Sequence, residues 1–177
     1  MLANPISSDL DSMRPSILPN LIDAARRNAA RGMGDLALFE LGPQYAGDQP
    51  DDQAIVAAGV RTGDMVGRHW SGARRAVDAF DAKADVLAEL TAIGAPADRL
   101  QTDRDVPGWY HPGRAGRLSL GPKNTIAVFG DIHPRVLKAL DISGPVVAFE
   151  IYLDNLPEPK SKDARTRPLL KASSLQS

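Results

Sequence analysis

The chain has 177 residues, of which 43% are hydrophobic and 24% charged, with a net charge of −1 and no cysteine. That length suffices for one domain with a real core; the absence of thiols excludes a disulfide framework and a thiolate metal centre, and no apolar run approaches the roughly 20 residues of a membrane span. There is no signal pattern at the N-terminus and no bulk field for nucleic acid, so a cytoplasmic location is expected and any RNA contact has to come from a local basic patch.

Asn4-Pro5 and the Ser7-Ser8-Asp9 cluster read as a turn, because the residue before proline is pushed extended and short polar side chains bond nearby backbone. A helix over 20–31 follows, with Ser16 as N-cap and Pro15 and Pro19 in its first turn. Leu18, Leu21, Ile22, Ala25 and Ala29 form its apolar stripe, and Gly32 ends it. Residues 36–42 read as a strand that is apolar on both faces apart from Glu40, and Gly42-Pro43 as a turn. After a solvated loop, 53–60 reads as a second strand antiparallel to the first. The stretch 61–75, interrupted by three glycines, carries no clear signal.

Helix returns over 77–93, with Phe80, Ala84, Leu87 and Leu90 as the expected apolar face and Gly94-Ala95-Pro96 as the stop. Residues 100–108 are polar. The Trp109 to Gly113 stretch leads into a short strand over 115–120, Gly121-Pro122-Lys123-Asn124 is a hairpin turn, and 125–130 returns antiparallel. Asp131 or His133 can cap a short helix with Val136, Leu137 and Leu140 facing inward. Residues 145–153 read as a strand buried on much of both faces. From Asn155 on, prolines and basic residues dominate, which reads as a linker.

The run from Asn4 to Gly32, continued by residues 36–45, resembles the synthetase-like core of the bacterial phenylalanyl-tRNA synthetase beta subunit. The segments 80–85, 110–114, 129–137 and 147–150 match that family in the same order, so the resemblance spans essentially the whole chain. It implies an α+β domain, a mostly antiparallel sheet flanked by helices in the manner of a class II aminoacyl-tRNA synthetase core, and the strand hairpins with helices packed on one side agree. It also implies a piece of a longer polypeptide: a core over 1–154, then a proline-containing basic linker over 155–177 leading to an anticodon-binding domain.

An active core of this class makes an aminoacyl adenylate and needs arginines on the phosphates of ATP. Where the active pattern has an arginine followed by an acid, this chain has Ala46-Gly47-Asp48. Where a glycine-rich strand would enter an arginine-bearing helix, it has residues 147–154 and then prolines. No catalytic residue, metal ligand or cofactor is therefore expected in this chain. The resemblance places ATP and Mg²⁺ in the alpha subunit, and names that subunit and tRNA(Phe) as partners.

The remaining candidates are structural or interface residues: Asn4, Arg14, Pro19, Glu40, His111, Arg114, His133 and Glu150. His111 and His133 each precede a proline and read as turn or cap residues rather than bases. Glu40 and Glu150 sit inside apolar strands and each should be paired, with Arg14, Arg114 and Arg117 as partners, because a buried unpaired charge is costly. Lys160, Lys162, Arg165 and Arg167 are candidates for tRNA contact, although such a run is more often simply solvated. The expected role is a non-catalytic scaffold that holds the alpha subunit. The alternatives are a free-standing synthetase-like regulatory or ligand-sensing protein and an independent RNA-binding module.

Overall fold

The structure, a computed structural model, describes residues 16–45, 52–65 and 74–157. Asn4, Arg14, the 46–51 loop and the basic residues Lys160, Lys162, Arg165 and Arg167 lie outside them. Among the described residues no helix is long and apolar enough to cross a membrane.

Helix α1 (Leu18–Ala29) starts two residues before the expected point, with Pro19 in its first turn. It buries Leu18, Leu21, Ile22 and Ala25, but Ala29 is exposed because the helix runs past the sheet at its last turn. Gly32 follows at φ +87, with Gly32 N–H bonded to the Ala29 carbonyl and Met33 N–H to that of Asn28. This is a Schellman closure, for which a residue without Cβ is suited.

Strand β1 (Leu36–Tyr45) pairs along its whole length with β2 (Gln53–Thr62), antiparallel. Gly42-Pro43 is inside β1 rather than a turn. Proline is tolerated there because β1 is an edge strand whose outer N–H groups face no ladder partner. Short strands β3 (Asp64–Met65) and β4 (Arg75–Ala76) pair with each other and lead into α2 (Ala79–Ala92). Strand β5 (Gln101–Asp103) lies within the stretch read only as polar. The next two, β6 (Tyr110–Ser119) and β7 (Thr125–Ile132), form a hairpin. β6 begins five residues before the expected strand, because Tyr110 pairs with Ile132 across an irregularity spanning 110–115. A short helix, α3 (Pro134–Ala139), precedes β8 (Val146–Tyr152).

The main sheet has the order β1-β2-β8-β7-β6-β5 and every pairing is antiparallel. Helices flank it on both faces, not on one. Ala58, Val60, Val146 and Ala148 join α1 in one apolar cluster, whereas Ala57, Val147, Phe149 and Ile151 join α2 in the other. Successive strand residues point to opposite faces, so the two clusters are the two sides of one sheet.

The α2 face corrects the expected stripe. Buried positions are Asp81, Ala82, Val86 and Leu90, while Phe80 is 77% exposed, Ala84 is exposed and Leu87 is half-buried. Apolar residues surround this helix on most sides, so periodicity alone left its rotation open. The entry sets it. Asp78 Oδ1 accepts from the N–H groups of Phe80 and Asp81, and Asp81 Oδ2 accepts from the Asp78 N–H at 2.9 Å. Arg75 grips the Asp81 carboxylate with both guanidinium nitrogens, at 2.8 and 2.6 Å. This capping box turns Asp81 inward and Phe80 outward.

Candidate functional site

Glu150 stands at the middle of β8, the strand flanked by β2 and β7, and is 1% exposed. It belongs to the face that carries α1. The sequence reading gave it an arginine partner; the structure gives it four neutral donors. Ser16 Oγ and Gln44 Nε2 donate to Oε1 at 3.2 and 3.3 Å, and Trp109 Nε1 and Tyr110 Oη donate to Oε2 at 3.3 and 3.2 Å.

The four donors arrive from three places in the chain, each for a local reason. Ser16 is not the N-cap expected of it, a position that falls to Ile17 without a side-chain cap; one residue earlier, its hydroxyl accepts from the Leu18 N–H at 3.2 Å and donates to the carboxylate, tying the helix start to Glu150. Gln44 comes from β1, which extends this far only because Gly42-Pro43 continues the strand. Trp109 lies in the turn just before β6 and Tyr110 opens the strand, and the irregular start of that strand puts both polar tips over β8.

Among the described residues, two donors stand on each oxygen of the carboxylate and no cation is paired with it; Arg14 lies outside them. Burial pushes its pKa above the ordinary glutamate range, and the hydrogen bonds from Gln44, Ser16, Trp109 and Tyr110 pull it part of the way back. The same burial, with the Glu150 charge behind it, pushes the phenols of Tyr110 and Tyr152 up. The arrangement can fix the start of α1, the far end of β1 and the start of β6 to the central strand. It presents no activated nucleophile and no cation for a phosphate among the described residues.

The other candidates are placed as follows. Arg114 pairs with Asp131 at 2.5 Å, and Arg117 with Asp103 and Asp105 at 2.8 and 2.7 Å, so neither reaches Glu150. Both lie on β6, which brings them to carboxylates on neighbouring segments rather than to the central strand. Glu40 is half-buried on β1 opposite Ala58. Pro19 is exposed at the start of α1. His133 caps α3, its Nδ1 accepting from the Arg135 N–H at 3.1 Å, and His111 Nδ1 accepts from the Gly113 N–H at 3.0 Å. Their rings stack at 6.2 Å. His111 lies within β6 and not in a turn.

Sequence reasoning found Glu150 and its need of a partner but missed Gln44, Trp109 and Tyr110. The available signal was the Trp109-Tyr110 pair itself, two amphipathic aromatics whose polar tips need acceptors when buried. Which acceptor they meet depends on β6 and β8 both flanking β7.

A six-stranded antiparallel sheet between helices, with its central strand plugged by a carboxylate, places the chain among proteins with the class II synthetase fold. The solved structure of a pyrrolysyl-tRNA synthetase from Desulfitobacterium hafniense superposes with a TM-score of 0.53 at 16% identity, over 80% of this chain and 47% of that one. At this identity the likeness speaks for the fold alone. The family model for the phenylalanyl-tRNA synthetase beta chain CLM domain matches residues 1–153, and the chain belongs to that family. It is 59% identical over 175 residues to a phenylalanine-tRNA ligase beta subunit of Paramagnetospirillum magneticum and 57% identical over 176 residues to one of Rhodospirillum rubrum. Each match covers 99% of this chain and 22% of the relative, so the chain spans about a fifth of the length of these relatives.

Proposed function

We propose that this chain is the non-catalytic, class II-like core of a phenylalanyl-tRNA synthetase beta subunit. It serves a complex that joins phenylalanine to tRNA(Phe), and its work is to scaffold the alpha subunit, which holds ATP and Mg²⁺. The observation that carries this reading is the Glu150 cluster. A triphosphate calls for guanidinium or ammonium groups at the binding face. The central strand offers instead a buried carboxylate with Ser16, Gln44, Trp109 and Tyr110 closed around it. That donor set does not fit ATP·Mg²⁺, and no chemical step is assigned to it.

The division into a core over 1–154 and a basic linker over 155–177 is part of the same proposal, supported by a family match that runs to residue 153. Lys160, Lys162, Arg165 and Arg167 are assigned to tRNA contact on charge alone, and a cytoplasmic location follows from the role in translation.

Two measurements test the reading. Size-exclusion chromatography with light scattering, with and without the cognate alpha subunit, should give a stable mixed complex. ATP-pyrophosphate exchange with phenylalanine should be absent from this chain and present in the complex. Exchange by the chain alone would overturn the non-catalytic assignment.

A further inference from the structure

Helix α2 covers its face of the main sheet over β7, β8 and part of β2, and leaves β1 bare at the edge. Phe39 is 54% and Leu41 58% exposed, and Ala37 is exposed beside them. Alternation puts these three on one side of the strand. That side is the one carrying α2, because the Phe39 ring lies 6.4 Å from the ring of Phe149, a member of the α2 cluster. Phe149 in turn covers Gly59, where a Cβ would come within 2.3 Å of its ring. The exposed strip thus continues the α2-side core outward and runs about 13 Å along β1.

Three side chains on one strand are too few to hold a separate protein, since a stable interface buries roughly 800 Å² on each partner. A segment tethered close by needs far less, because a short linker holds it at an effective concentration on the order of millimolar. The two ends of the described chain differ here. Ser16 and Ile17 enter on the α1 side, the first bonded to Glu150 and the second buried in the α1 cluster. Residues 153–157 leave on the α2 side, where Leu153 and Leu156 pack against the α2 cluster and the Asp154 carboxylate accepts from the Ile55 N–H at 2.8 Å. Ile55 pairs with Pro43, two residues along β1 from Leu41. The exit therefore lies at the near end of the strip. Beyond Leu156 the sequence is polar and proline-spaced up to Leu169-Leu170, its first large apolar residues. Twelve residues lead from Pro157 to Leu169, and that many extended residues span about 40 Å, ample for a strip that begins one strand away.

We infer that Leu169-Leu170 docks on the strip formed by Ala37, Phe39 and Leu41, so that the segment beyond Pro157 covers the bare face of β1. This goes beyond the reading of residues 155–177 as a linker and does not draw on the scaffold role. The mixed complex with the alpha subunit forms or fails to form independently of it.

The test uses the 177-residue chain, which has no cysteine, so introduced thiols report alone. Leu41→Cys combined with Leu170→Cys should form an intramolecular disulfide several-fold faster than Leu41→Cys combined with Ala164→Cys. A free tail gives the reverse order, because Ala164 lies nearer the exit and shorter loops close more readily. Adding Leu169→Asp to the first pair should bring its rate down to that of the second. In Leu41→Cys alone, Leu169→Asp together with Leu170→Asp should speed maleimide labelling several-fold, whereas Lys160→Ala should not. Equal or reversed disulfide rates overturn the inference, as does labelling that the aspartates leave unchanged. Disulfides that run between chains put a second copy on this face and overturn it as well.

Discussion

The phenol of Tyr110 donates to Glu150 Oε2 at 3.2 Å across the main sheet, from a side chain 1% exposed to one equally buried. The bond carries β6 to β8 over the intervening β7, between two buried groups. Its removal leaves a buried acceptor short of one partner, which costs about 1–3 kcal/mol. Tyr110→Phe should lower stability within that range with the fold kept, checked by urea denaturation.

Replacing the acceptor is more severe. Glu150→Leu orphans the donors of Gln44 and Tyr110 inside the protein together with those of Ser16 and Trp109 nearer its edge. The expected loss is about 3 kcal/mol or more. Glu150→Gln keeps one acceptor oxygen and should lose less, again by denaturant titration.

The same site sets a pH dependence. The folded chain holds the Glu150 proton more tightly than the unfolded chain, because burial raises its pKa. Stability should fall as pH rises from the ordinary glutamate value to the raised one, and this contribution should return on acidification. The Glu150→Gln variant should lack this dependence in the difference between the two pH–stability curves.

Asp81 acts in the opposite sense. The Arg75 guanidinium holds its carboxyl below the ordinary aspartate value. Its stabilising contribution is present above the unfolded value and is lost as pH falls through the folded one. Arg75→Ala should shift the acid-unfolding midpoint to higher pH, followed by circular dichroism at 222 nm.

Two glycines separate backbone freedom from space. A Cβ at Gly130, where φ is +146, would lie 2.4 Å from the Ala115 Cα and 2.5 Å from the Arg114 carbonyl oxygen, both main-chain atoms. Gly130→Ala should unfold the β6–β7 hairpin or fail to accumulate. Gly32, at φ +87, has nothing within 4 Å of the same position. Gly32→Ala should cost only the conformational preference, about 1–2 kcal/mol.

The rotation of α2 is testable in a pair. Leu90 is fully buried, so Leu90→Ala should lose about 2–5 kcal/mol. Phe80→Ala, on the exposed side, should change stability by less than about 0.5 kcal/mol.

Much of the sheet was legible in the sequence because its signals are local. Residues 145–153 are apolar on both faces apart from Glu150 and become the buried strand β8; the turn at 121–124 joins β6 to β7; His133 before Pro134 caps α3. Elsewhere a local signal met a nonlocal answer. Gly42-Pro43 marks a turn in most contexts, yet β1 is an edge strand and the proline costs no ladder bond. Phe80, Ala84, Leu87 and Leu90 have the spacing of a buried stripe, but Val86 and Ala82 compete for the same core, and only the cap formed with Arg75 decides between them.

By itself the sequence determined the three helices, the longer strands, the antiparallel pairing of the two hairpins β1–β2 and β6–β7, and the need of Glu150 for a partner, since these follow from side-chain periodicity, turn chemistry and the cost of a buried charge. The tertiary structure decided which groups meet that charge and which face of α2 is covered. Strand order does this: Gln44, Trp109 and Tyr110 converge on β8 because β1 and β6 each lie one strand removed from it, on opposite sides, while Ser16 is brought there by the packing of α1 on the same face; no spacing within the chain encodes that adjacency.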